Sequence, residues 1–382
     1  MPHVIIIGAG PAGTCLAHGL RRQGFRVSLH ERDPIADPRG QGYRLHIGPE
    51  GDLALRDCLP AADYDLILAT SGRRGAGLTV FDSALNTIQE IDIPDQKTPG
   101  TGRHLVVDRQ VFRRIMLAGL GEVTRFGAEF TRYEELGDGR VRAHFADGHS
   151  ETGDLLVAAE GANSPVRKQF LPQAEVTETG QTMIFGKTEL TARVRESLPP
   201  RAVRGFSTVI GGNGVFLPLA GFEFSTDPNE AAARAHPGLS FVDTRDYVMW
   251  VAVVATEAAG ALHGLDGAEL RKLVGEFVAD WHPSLVEIVS LGDPATVHTT
   301  LVRTSTPLEH WRSGPVTLVG DAIHPMVPAG ASAAVALRDA GLLARRLGEA
   351  EPGGLTSAVH DYEVEMLDYG FAAVAASRNS LG

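Results

Sequence analysis

Residues 4–13 read VIIIGAGPAG, and this stretch decides the fold of the chain. The four apolar residues predict a buried parallel strand, and Gly8 permits a tight turn out of it. Gly10 lets the backbone approach a pyrophosphate, and Gly13 lets the next helix pack close to the sheet. That helix, expected to run to Gln23, presents unpaired N–H groups and a partial positive charge to the phosphates. The stretch therefore predicts a nucleotide-binding α/β fold.

A second strand, residues 25–30, follows the helix and leads to Glu31, 18 residues after Gly13. A carboxylate at this distance can accept hydrogen bonds from the hydroxyls of a ribose. Its presence favours an unphosphorylated adenosine ribose, as in FAD or NAD, over that of NADP. The strand before the glycine motif, the helix after it and Glu31 together make the motif a specific indication of nucleotide binding.

The composition limits the kind of protein. The 382 residues suggest two or three domains, and 43% of them are hydrophobic, which is enough for cores of ordinary size. A net charge of -12, with no run of Lys or Arg, argues against nucleic acid as a partner. Cys15 and Cys58 are too few for a disulfide framework and lack metal-ligand spacing, so we expect buried thiols and no metal site. Since no apolar run reaches the ~18 residues of a membrane span, we expect a soluble cytoplasmic protein without a membrane partner.

Hydrophobic periodicity predicts most of the remaining elements. Turn signals after Val123 indicate an antiparallel meander of short strands. Residues 176–300 look strand-rich with a single helix, and their aromatic residues fit either a pocket for a planar molecule or ordinary core packing. Strands are expected at 40–47, 78–81, 87–91, 104–108, 154–159 and 315–320, and helices at 49–59, 109–120, 268–281 and 332–347.

Two later stretches carry further chemistry. Residues 153–167 read GDLLVAAEGANSPVR, and residues 319–325 read VGDAIHP, followed by Arg338-Asp339-Ala340. Asp321 would stand at the carboxyl edge of a buried strand, where open α/β sheets bind ligands. Its carboxylate can accept hydrogen bonds from ribityl hydroxyls, or it can cap the following helix.

Together with residues 4–13, these motifs resemble the three fingerprints of the single-component flavoprotein hydroxylases of the para-hydroxybenzoate hydroxylase fold. That group includes the tetracycline-inactivating monooxygenases, and the likeness covers essentially the whole chain. It implies an α/β fold in which a Rossmann-like FAD-binding domain carries an inserted β-sheet substrate domain and a helical C-terminus. The FAD-binding domain would comprise residues 1–70, 100–175 and 300–382, and a substrate-binding domain of residues 71–99 and 176–299 would cover the flavin.

The resemblance also implies which residues hold the cofactor. Arg109 matches the arginine that reaches the FAD pyrophosphate, although a surface cation is the alternative reading. The helix after Ser332 would point its N-terminus at the flavin pyrimidine ring, and His324 would be a structural part of its loop. No catalytic side chain can be carried over, because members of the family use different acid and base groups. The implied cofactor-binding residues are Gly8, Gly10, Pro11, Ala12, Gly13, Glu31, Arg32, Arg109, Glu160, Gly161, Gly320, Asp321, Pro328, Gly330, Ala331, Ser332 and Ala333.

The implied activity is monooxygenation. NADPH or NADH would reduce FAD, oxygen would add to form a flavin C4a-hydroperoxide, and its distal oxygen would attack an electron-rich carbon. The substrate would be an aromatic or polyketide-like small molecule of secondary metabolism, such as antibiotic biosynthesis, bound by a monomer or weak homodimer. Two alternatives stay open: a non-redox isomerase or cyclase on the same scaffold, and a flavin-dependent oxidase or dehydrogenase.

The sequence departs from the family pattern at two places. Glu160 stands where the second motif usually has Asp, and residues 330–334 read GASAA where a G-x-G-x-N pattern is expected. Ser332 replaces the second glycine of that pattern, and Ala334 replaces the amide expected to contact the isoalloxazine ring. We therefore expect an altered approach of this loop to the flavin, and tighter FAD binding when Ser332→Gly and Ala334→Asn are combined.

The first prediction concerns Glu31. Glu31→Ala should weaken FAD binding by about 1.5–3 kcal/mol, or roughly tenfold to a hundredfold in affinity, because a hydrogen bond to a charged acceptor is lost. Titration of the apoprotein with FAD measures the effect. Superimposable titration curves for the variant and the parent would contradict the placement of Glu31 on the ribose.

Overall fold

The structure is a computed structural model that describes residues 1–34, 42–73, 75, 77–92, 102–212, 214–257, 262 and 264–379. Residues 40 and 41 of the predicted strand at 40–47 lie outside these ranges, as do residues 93–99 of the proposed substrate domain and residue 100. None of the helices within the described ranges is long and apolar enough to cross a membrane.

The described residues form strands and helices with the following bounds. The strands are β1 His3–Ile7, β2 Arg26–Glu31, β3 Arg44–Ile47, β4 Leu78–Asp82, β5 Thr87–Ile91, β6 Leu105–Asp108, β7 Thr124–Phe126, β8 Phe130–Glu135, β9 Val141–Phe145, β10 Ser150–Gly153, β11 Leu155–Ala158, β12 Val176–Glu189, β13 Phe206–Ile210, β14 Phe216–Phe222, β15 Tyr247–Ala255, β16 His298–Ser305 and β17 Val316–Leu318. The helices are α1 Pro11–Arg22, α2 Pro49–Cys58, α3 Ala61–Thr70, α4 Arg109–Leu117, α5 Pro165–Phe170, α6 Ala192–Ser197, α7 Pro200–Arg204, α8 Pro228–Ala235, α9 Gly267–Phe277, α10 Pro283–Ser290, α11 Ser332–Gly348 and α12 Leu355–Asn379.

A five-stranded parallel sheet confirms the predicted Rossmann-like core. Its strand order is β17-β11-β1-β2-β7, so the strands that precede the three motifs are neighbours. Every residue of β1 and β11 is buried, as expected for strands covered on both faces. Helices α1 and α11 pack against each other, and α12 packs on α11 to give the expected helical C-terminus.

The turn between β1 and α1 depends on two glycines. Gly8 has a φ of +101°, and a Cβ there would lie 2.5 Å from the carbonyl oxygen of Ala159. A Cβ on Gly13 would lie 2.0 Å from the carbonyl oxygen of Gly8 and 3.2 Å from the Cβ of Ala159. Both positions therefore require glycine, because any side chain would push α1 away from the end of β11.

The predicted meander is present as the antiparallel sheet β10-β9-β8. Strand β7 does not belong to it, because Thr124–Phe126 pair in parallel with β2 and extend the central sheet. Turn residues in the sequence predicted the hairpins. No local pattern indicated that β7 would pair with β2, which lies far from it in sequence. Helix α4 likewise ends at Leu117, three residues earlier than expected, since Gly119 turns the chain with a φ of +71°.

A second, seven-stranded sheet has the order β16-β12-β15-β14-β13-β4-β5. The hairpin β4–β5 thus joins strands from beyond residue 176, although more than eighty residues separate them in sequence. One face, which we call the back face, is covered by α6, α7, α9 and α10. The opposite, front face shares a hydrophobic core with the parallel sheet. The domain boundaries proposed from the sequence stay a prediction, and β16 continues the second sheet to Ser305.

The prediction of one helix between residues 176 and 300 was wrong, because the described residues of this range form four further α-helices: α6, α7, α8 and α10. All four are short, with five to eight residues, so they carry little hydrophobic periodicity. Local start signals do exist. Asp227 caps α8 through the N–H groups of Asn229 and Glu230, and Pro228 occupies the first helical position.

Buried polar contacts join the front face to the nucleotide-binding part. The hydroxyl oxygen of Tyr247 on β15 lies 3.0 Å from the carbonyl oxygen of Tyr43 and 3.0 Å from Oδ2 of Asp108, so its one O–H can donate to either acceptor. Oδ1 of Asp108 accepts from the backbone N–H groups at the start of α4 and therefore caps that helix. Lys187 Nζ lies 4.3 Å from the centre of the Tyr247 ring and 2.8 Å from Oδ2 of Asp243.

A pair of glycine substitutions tests the close packing of α1. Gly13→Ala should lower the free energy of unfolding by about 1–3 kcal/mol, because the new methyl group collides with the Gly8 carbonyl. Gly275→Ala in the middle of α9 is the matched control, because a Cβ there has no neighbour within 4 Å and alanine favours a helix. Urea denaturation of both variants measures the difference. Equal stability of the two would contradict the proposed contact.

Candidate functional site

The carboxyl edge of the parallel sheet brings the three motifs together. Gly8 follows β1, Glu31 ends β2, Glu160 lies just beyond β11, and Gly320 lies just beyond β17. The carboxyl ends of parallel strands meet at one edge of a sheet, and ligands bind there in open α/β folds. The predicted site residues thus converge, although they are spread over more than 300 positions of sequence.

The start of α1 is open toward this edge. Gly10 is the N-cap in an extended conformation, Pro11 occupies the first turn, and no side chain caps the helix. A Cβ on Gly10 would have nothing closer than the Ala159 carbonyl oxygen at 4.0 Å. Unlike Gly8 and Gly13, Gly10 is therefore not required by internal packing, which leaves the helix N-terminus accessible to an anion.

Two arginines of α4 lie at the same edge. Nη1 of Arg113 donates to the carbonyl of Ala9 at 3.0 Å, and its Nη2 lies 3.7 Å from Oε2 of Glu31. Among the described residues, Nε and Nη2 of Arg113 are buried without a hydrogen-bond partner. Burial lowers the pKa of Arg109 to about 10, Asp321 opposes this shift, and Arg113 adds to it. Two arginines therefore place positive charge at this edge, whereas the sequence analysis predicted Arg109 alone. Arg113 was missed, although its spacing of four residues puts it on the same helix face.

Glu31 is tied to the glycine loop itself. Its Oε2 accepts from the N–H of Ala9 at 2.9 Å, and its Oε1 accepts from the N–H of Asp33 at 3.1 Å. Each carboxylate oxygen can accept more than one hydrogen bond, so both keep capacity for ribose hydroxyls. Glu31 thus also holds the loop in shape, a role that sequence reasoning did not anticipate. Arg32 follows it as an exposed residue.

Glu160 turns back onto its own segment. Its Oε1 accepts from Ser164 Oγ at 2.7 Å and from the N–H of Val166 at 3.1 Å. Gly161 beside it has a φ of +82°. Within the described part of the chain, Oε2 of Glu160 is buried and has no partner. Burial raises the pKa of Glu160 to about 7.

Asp321 is held in the site from two sides. Gly320 before it has a φ of +62°, and a Cβ there would lie 3.0 Å from Cβ of Ala336 on α11. Ser332 Oγ donates to Asp321 Oδ1 at 2.8 Å, while burial raises the pKa of the Asp321 carboxyl. Asp321 is not the N-cap of α11, because Ala331 occupies that position. The structure therefore does not support the helix-capping role, and the flavin-binding role of Asp321 stays a prediction.

A buried network supports this turn from behind. Asp339 Oδ2 accepts from the N–H of Gly320 at 2.6 Å and lies 2.7 Å from Nε2 of His324. Its Oδ1 accepts from the hydroxyl of Tyr369 at 2.6 Å. His324 is fully buried, and the Asp339 carboxylate raises its pKa despite the opposing effect of burial. The expected structural role of His324 therefore agrees with its position.

The altered loop at 330–334 differs from the sequence expectation. Gly330 turns with a φ of +89°, but Ser332 is simply the first residue of α11 and has no positive φ. The second glycine of the family pattern is therefore not needed by this backbone. Pro328 and Gly330 are exposed, and Ala331 and Ala333 are half-buried, at the start of the helix.

Ala334 packs closely against a neighbouring helix. Ala334 is buried against the start of α2, where a Cβ on Gly51 would lie only 2.9 Å from its Cα, and one on Gly48 3.7 Å from its Cβ. A larger side chain at position 334 would meet α2. The tighter FAD binding expected for the combined Ser332→Gly and Ala334→Asn change stays a prediction. The close approach of α2 and α11 has no local signal in either segment.

A substitution at position 334 tests the contact between Ala334 and α2. Ala334→Asn should lower the free energy of unfolding of the apoprotein by about 1–3 kcal/mol, because the larger side chain overpacks the α2–α11 contact. Ala333→Asn, one residue earlier in the same helix and only half-buried, is the control for helix propensity. Thermal unfolding measures both. If the two variants melt together, Ala334 is not confined by α2.

The unpaired groups match what a dinucleotide offers. Phosphates would meet the open start of α1 and the unsatisfied N–H groups of Arg113. Hydroxyl groups would donate hydrogen bonds to the carboxylates of Glu31 and Asp321. Oε2 of Glu160, which has no partner among the described residues, could accept a hydrogen bond from a ligand. The residues present therefore fit FAD. Arg44, which sequence reasoning missed, adds a guanidinium whose Nε is buried without a partner among the described residues, and burial lowers its pKa.

Comparison with known proteins agrees with this fit. A family model described as an FAD binding domain matches residues 107–377, and one described as an NAD(P)-binding Rossmann-like domain matches residues 6–50. A Photorhabdus luminescens subsp. laumondii TTO1 structure, assigned as an FAD-containing monooxygenase, is 31% identical with a TM-score of 0.84, covering 100% of this chain and 97% of that one.

Two curated relatives extend the comparison. The dual O-methyltransferase/FAD-dependent monooxygenase elcB of Phaeosphaeria nodorum is 33% identical over 90% of this chain and 40% of its own length. The 6-hydroxynicotinate 3-monooxygenase of Bordetella bronchiseptica is 28% identical over 90% of this chain and 82% of that one. This chain thus spans about two fifths of the length of the dual-function relatives that it matches. The chain belongs to the FAD binding domain family, and it is a flavoprotein of the single-component monooxygenase group with the para-hydroxybenzoate hydroxylase fold.

Proposed function

We propose that this protein is an FAD-dependent monooxygenase that uses NADPH or NADH to hydroxylate an aromatic or polyketide-like small molecule. Its family and its intact cofactor residues support flavin chemistry. The names of its relatives support the substrate class, since they include a 6-hydroxynicotinate monooxygenase. The whole activity is a proposal, because this chain matches only part of the dual-function relatives.

The observation that carries the substrate class is an apolar area on the front face of the seven-stranded sheet. Residues directly opposite each other on neighbouring strands point to the same face. One such row runs Ile210, Phe216, Val253, Met183, and a second runs Phe206, Ala220, Met249, Lys187.

At the β13–β14 end of both rows, Phe206, Ile210 and Phe216 each remain 38% exposed. Large apolar side chains left open in a cluster mark a binding surface. We call Phe206, Ile210 and Phe216 the apolar end of the front face. Since this face shares a core with the parallel sheet, a flat apolar molecule on it would lie on the cofactor side of the sheet.

Different residues would contact different parts of the cofactor. When bound, FAD supplies the redox chemistry that activates oxygen. Arg109 and Arg113 would hold its phosphates, Glu31 and Asp321 would hold its hydroxyls, and the N-terminus of α11 would favour negative charge beside it. The apolar front face would exclude water from the reacting carbon.

Three finer expectations belong to the same proposal. A cytoplasmic location fits a protein with two free cysteines, and reduced nicotinamide nucleotides are cytoplasmic reductants. A monomer or weak homodimer stays a prediction, as does a place in secondary metabolism. The dual O-methyltransferase/monooxygenase name of one relative supports the latter only indirectly.

Oxygen incorporation is the test of the proposal. The FAD-loaded protein is mixed with NADPH or NADH and a panel of phenolic and polycyclic substrates under ¹⁸O₂. We expect substrate-stimulated oxidation of the reductant and one labelled oxygen atom in the product. Turnover without reductant or oxygen would instead establish the isomerase or cyclase alternative, and product lacking the label would establish an oxidase or dehydrogenase.

A substitution at the apolar end of the front face tests whether the substrate binds there. Phe216→Ala should weaken substrate binding by about 1.4 kcal/mol, roughly tenfold in Kd, because apolar contact area is lost. Val242→Ala is the control, since Val242 is 96% exposed outside the two rows. Substrate titration followed by flavin absorbance measures both. Equal Kd values for Phe216→Ala and the parent would place the substrate elsewhere.

A further inference from the structure

A half-buried histidine of the seven-stranded sheet contacts the segment that leads into β3. Nε2 of His298, the first residue of β16, lies 3.1 Å from the backbone nitrogen of Gly42. Its Nδ1 lies 3.2 Å from the carbonyl oxygen of Thr296. The imidazole also stacks on Phe185 of β12, with ring centres 5.3 Å apart and planes 7° from parallel. The sequence analysis assigned no role to His298.

The two polar contacts fix the protonation state of His298. A backbone N–H only donates, so Nε2 of His298 must be an acceptor without a proton of its own. The proton of the neutral ring is then on Nδ1, where it donates to the Thr296 carbonyl. A proton on Nε2 would turn this acceptor into a second donor that faces the Gly42 N–H. The hydrogen bond to Gly42 therefore exists only while His298 is neutral.

Tyr43 connects this contact to the start of α4. Its hydroxyl donates to the same Thr296 carbonyl, and its own carbonyl oxygen accepts from the backbone N–H of Arg109 at 2.8 Å. Arg109 is the first residue of α4. We call residues 42–43 the clamp segment, because they are bound to the seven-stranded sheet on one side and to α4 on the other.

Gly42 makes the clamp segment depend on that hydrogen bond. Its φ is +84°, and a Cβ there would lie 3.5 Å from the Phe185 ring, so the backbone passes close over the stacked pair. Glycine adopts many backbone conformations at little cost, so its own preference does not select this one. The bond to His298 therefore restricts the clamp segment to the conformation that meets Arg109.

We infer that His298 is a positioning residue for FAD, whose neutral imidazole holds the clamp segment and so keeps Arg109 in place for the cofactor phosphates. His298 acts through Gly42 and Tyr43, and this role requires no contact between His298 and the cofactor. The inference rests on the part of the proposed function that assigns Arg109 to the FAD phosphates, and not on the proposed reaction. FAD affinity should therefore follow the protonation state of His298.

The surroundings of His298 favour its neutral form. Burial lowers the pKa of His298, the Thr296 carbonyl opposes this shift, and the Arg109 guanidinium adds to it. Strand β12 contributes the uncharged ring of Phe185. The other charged groups close by act on Tyr43, and they are Lys187, Asp108 and Asp293. The clamp segment is thus held at neutral pH and released as the pH falls through this lowered pKa.

Nitrogen-15 NMR of the imidazole ring tests the arrangement without any turnover. We expect His298 in the Nδ1–H form in both the apoprotein and the FAD-loaded protein. The same spectra, recorded as the pH is lowered, give the pKa of His298. An Nε2–H form of the neutral ring in the parent protein overturns the inference.

Titration of the apoprotein with FAD tests the role in binding. In the parent protein, we expect the Kd for FAD to rise about tenfold as the pH falls from about 8 through the pKa that NMR gives for His298, because Gly42 loses its acceptor. An unchanged Kd once His298 is protonated overturns the inference. His149→Gln is the control for other titrating groups, since His149 is exposed and should leave this rise unchanged.

Two substitutions separate the acceptor from the ring. His298→Gln places an amide oxygen near the position of Nε2, so it should bind FAD like the parent at about pH 8 and keep that affinity at low pH. His298→Phe keeps the stacking on Phe185 but removes the acceptor, so its Kd should be about tenfold higher at every pH. A merely structural ring would be replaced better by Phe than by Gln. Parent-like binding by His298→Phe, or the parental pH dependence in His298→Gln, overturns the inference.

These outcomes are independent of the proposed reaction. The NMR and FAD titrations need no substrate, so a protein that hydroxylates no aromatic compound would defeat the proposed function and leave the role of His298 standing. Conversely, FAD binding that ignores the protonation of His298 defeats this inference alone. If His298→Phe fails to fold, the spectra and the pH dependence of the parent protein still decide.

Discussion

The close contact at the first turn is the constraint on which the rest of the structure depends. Gly13 lies against the Gly8 carbonyl, and Gly8 lies against Ala159, so α1, β1 and the end of β11 meet with no room for a side chain. This contact brings the carboxyl ends of β1 and β11 together at one edge. Gly10, by contrast, is open, and its missing side chain leaves space for a ligand. Two glycines therefore serve packing, and the third is the one proposed for cofactor binding.

Asp108 links that edge to the substrate face. One of its oxygens caps α4, which carries Arg109 and Arg113 toward the glycine loop. The other accepts from Tyr247 on the seven-stranded sheet. Because the Asp108 side chain is buried, loss of its carboxylate would leave several polar groups unpaired. The same side chain thus caps the helix that carries the two arginines proposed to hold the cofactor, and it attaches the seven-stranded sheet to that helix.

The departures from the family pattern are compensated locally. Ser332 contributes a hydroxyl that binds Asp321, and the helix begins there without backbone strain. Glu160 uses its extra methylene group to fold back onto Ser164 and Val166. Ala334 allows α2 to approach α11, which a longer side chain would prevent. Each of the three residues thus has contacts of its own next to the site.

The sequence by itself determined the Rossmann-like core, the residues at its carboxyl edge and the family. These features rest on glycine spacing and hydrophobic periodicity, which act over a few neighbouring residues. Only the tertiary structure decided the pairing of β7 with β2, the joining of β4–β5 to strands beyond residue 176, and the packing of Ala334 on Gly51. It also placed Arg113 against Glu31 and His46 against Gly330. These contacts join segments distant along the chain, and their geometry depends on how whole elements pack, so no local pattern could report them.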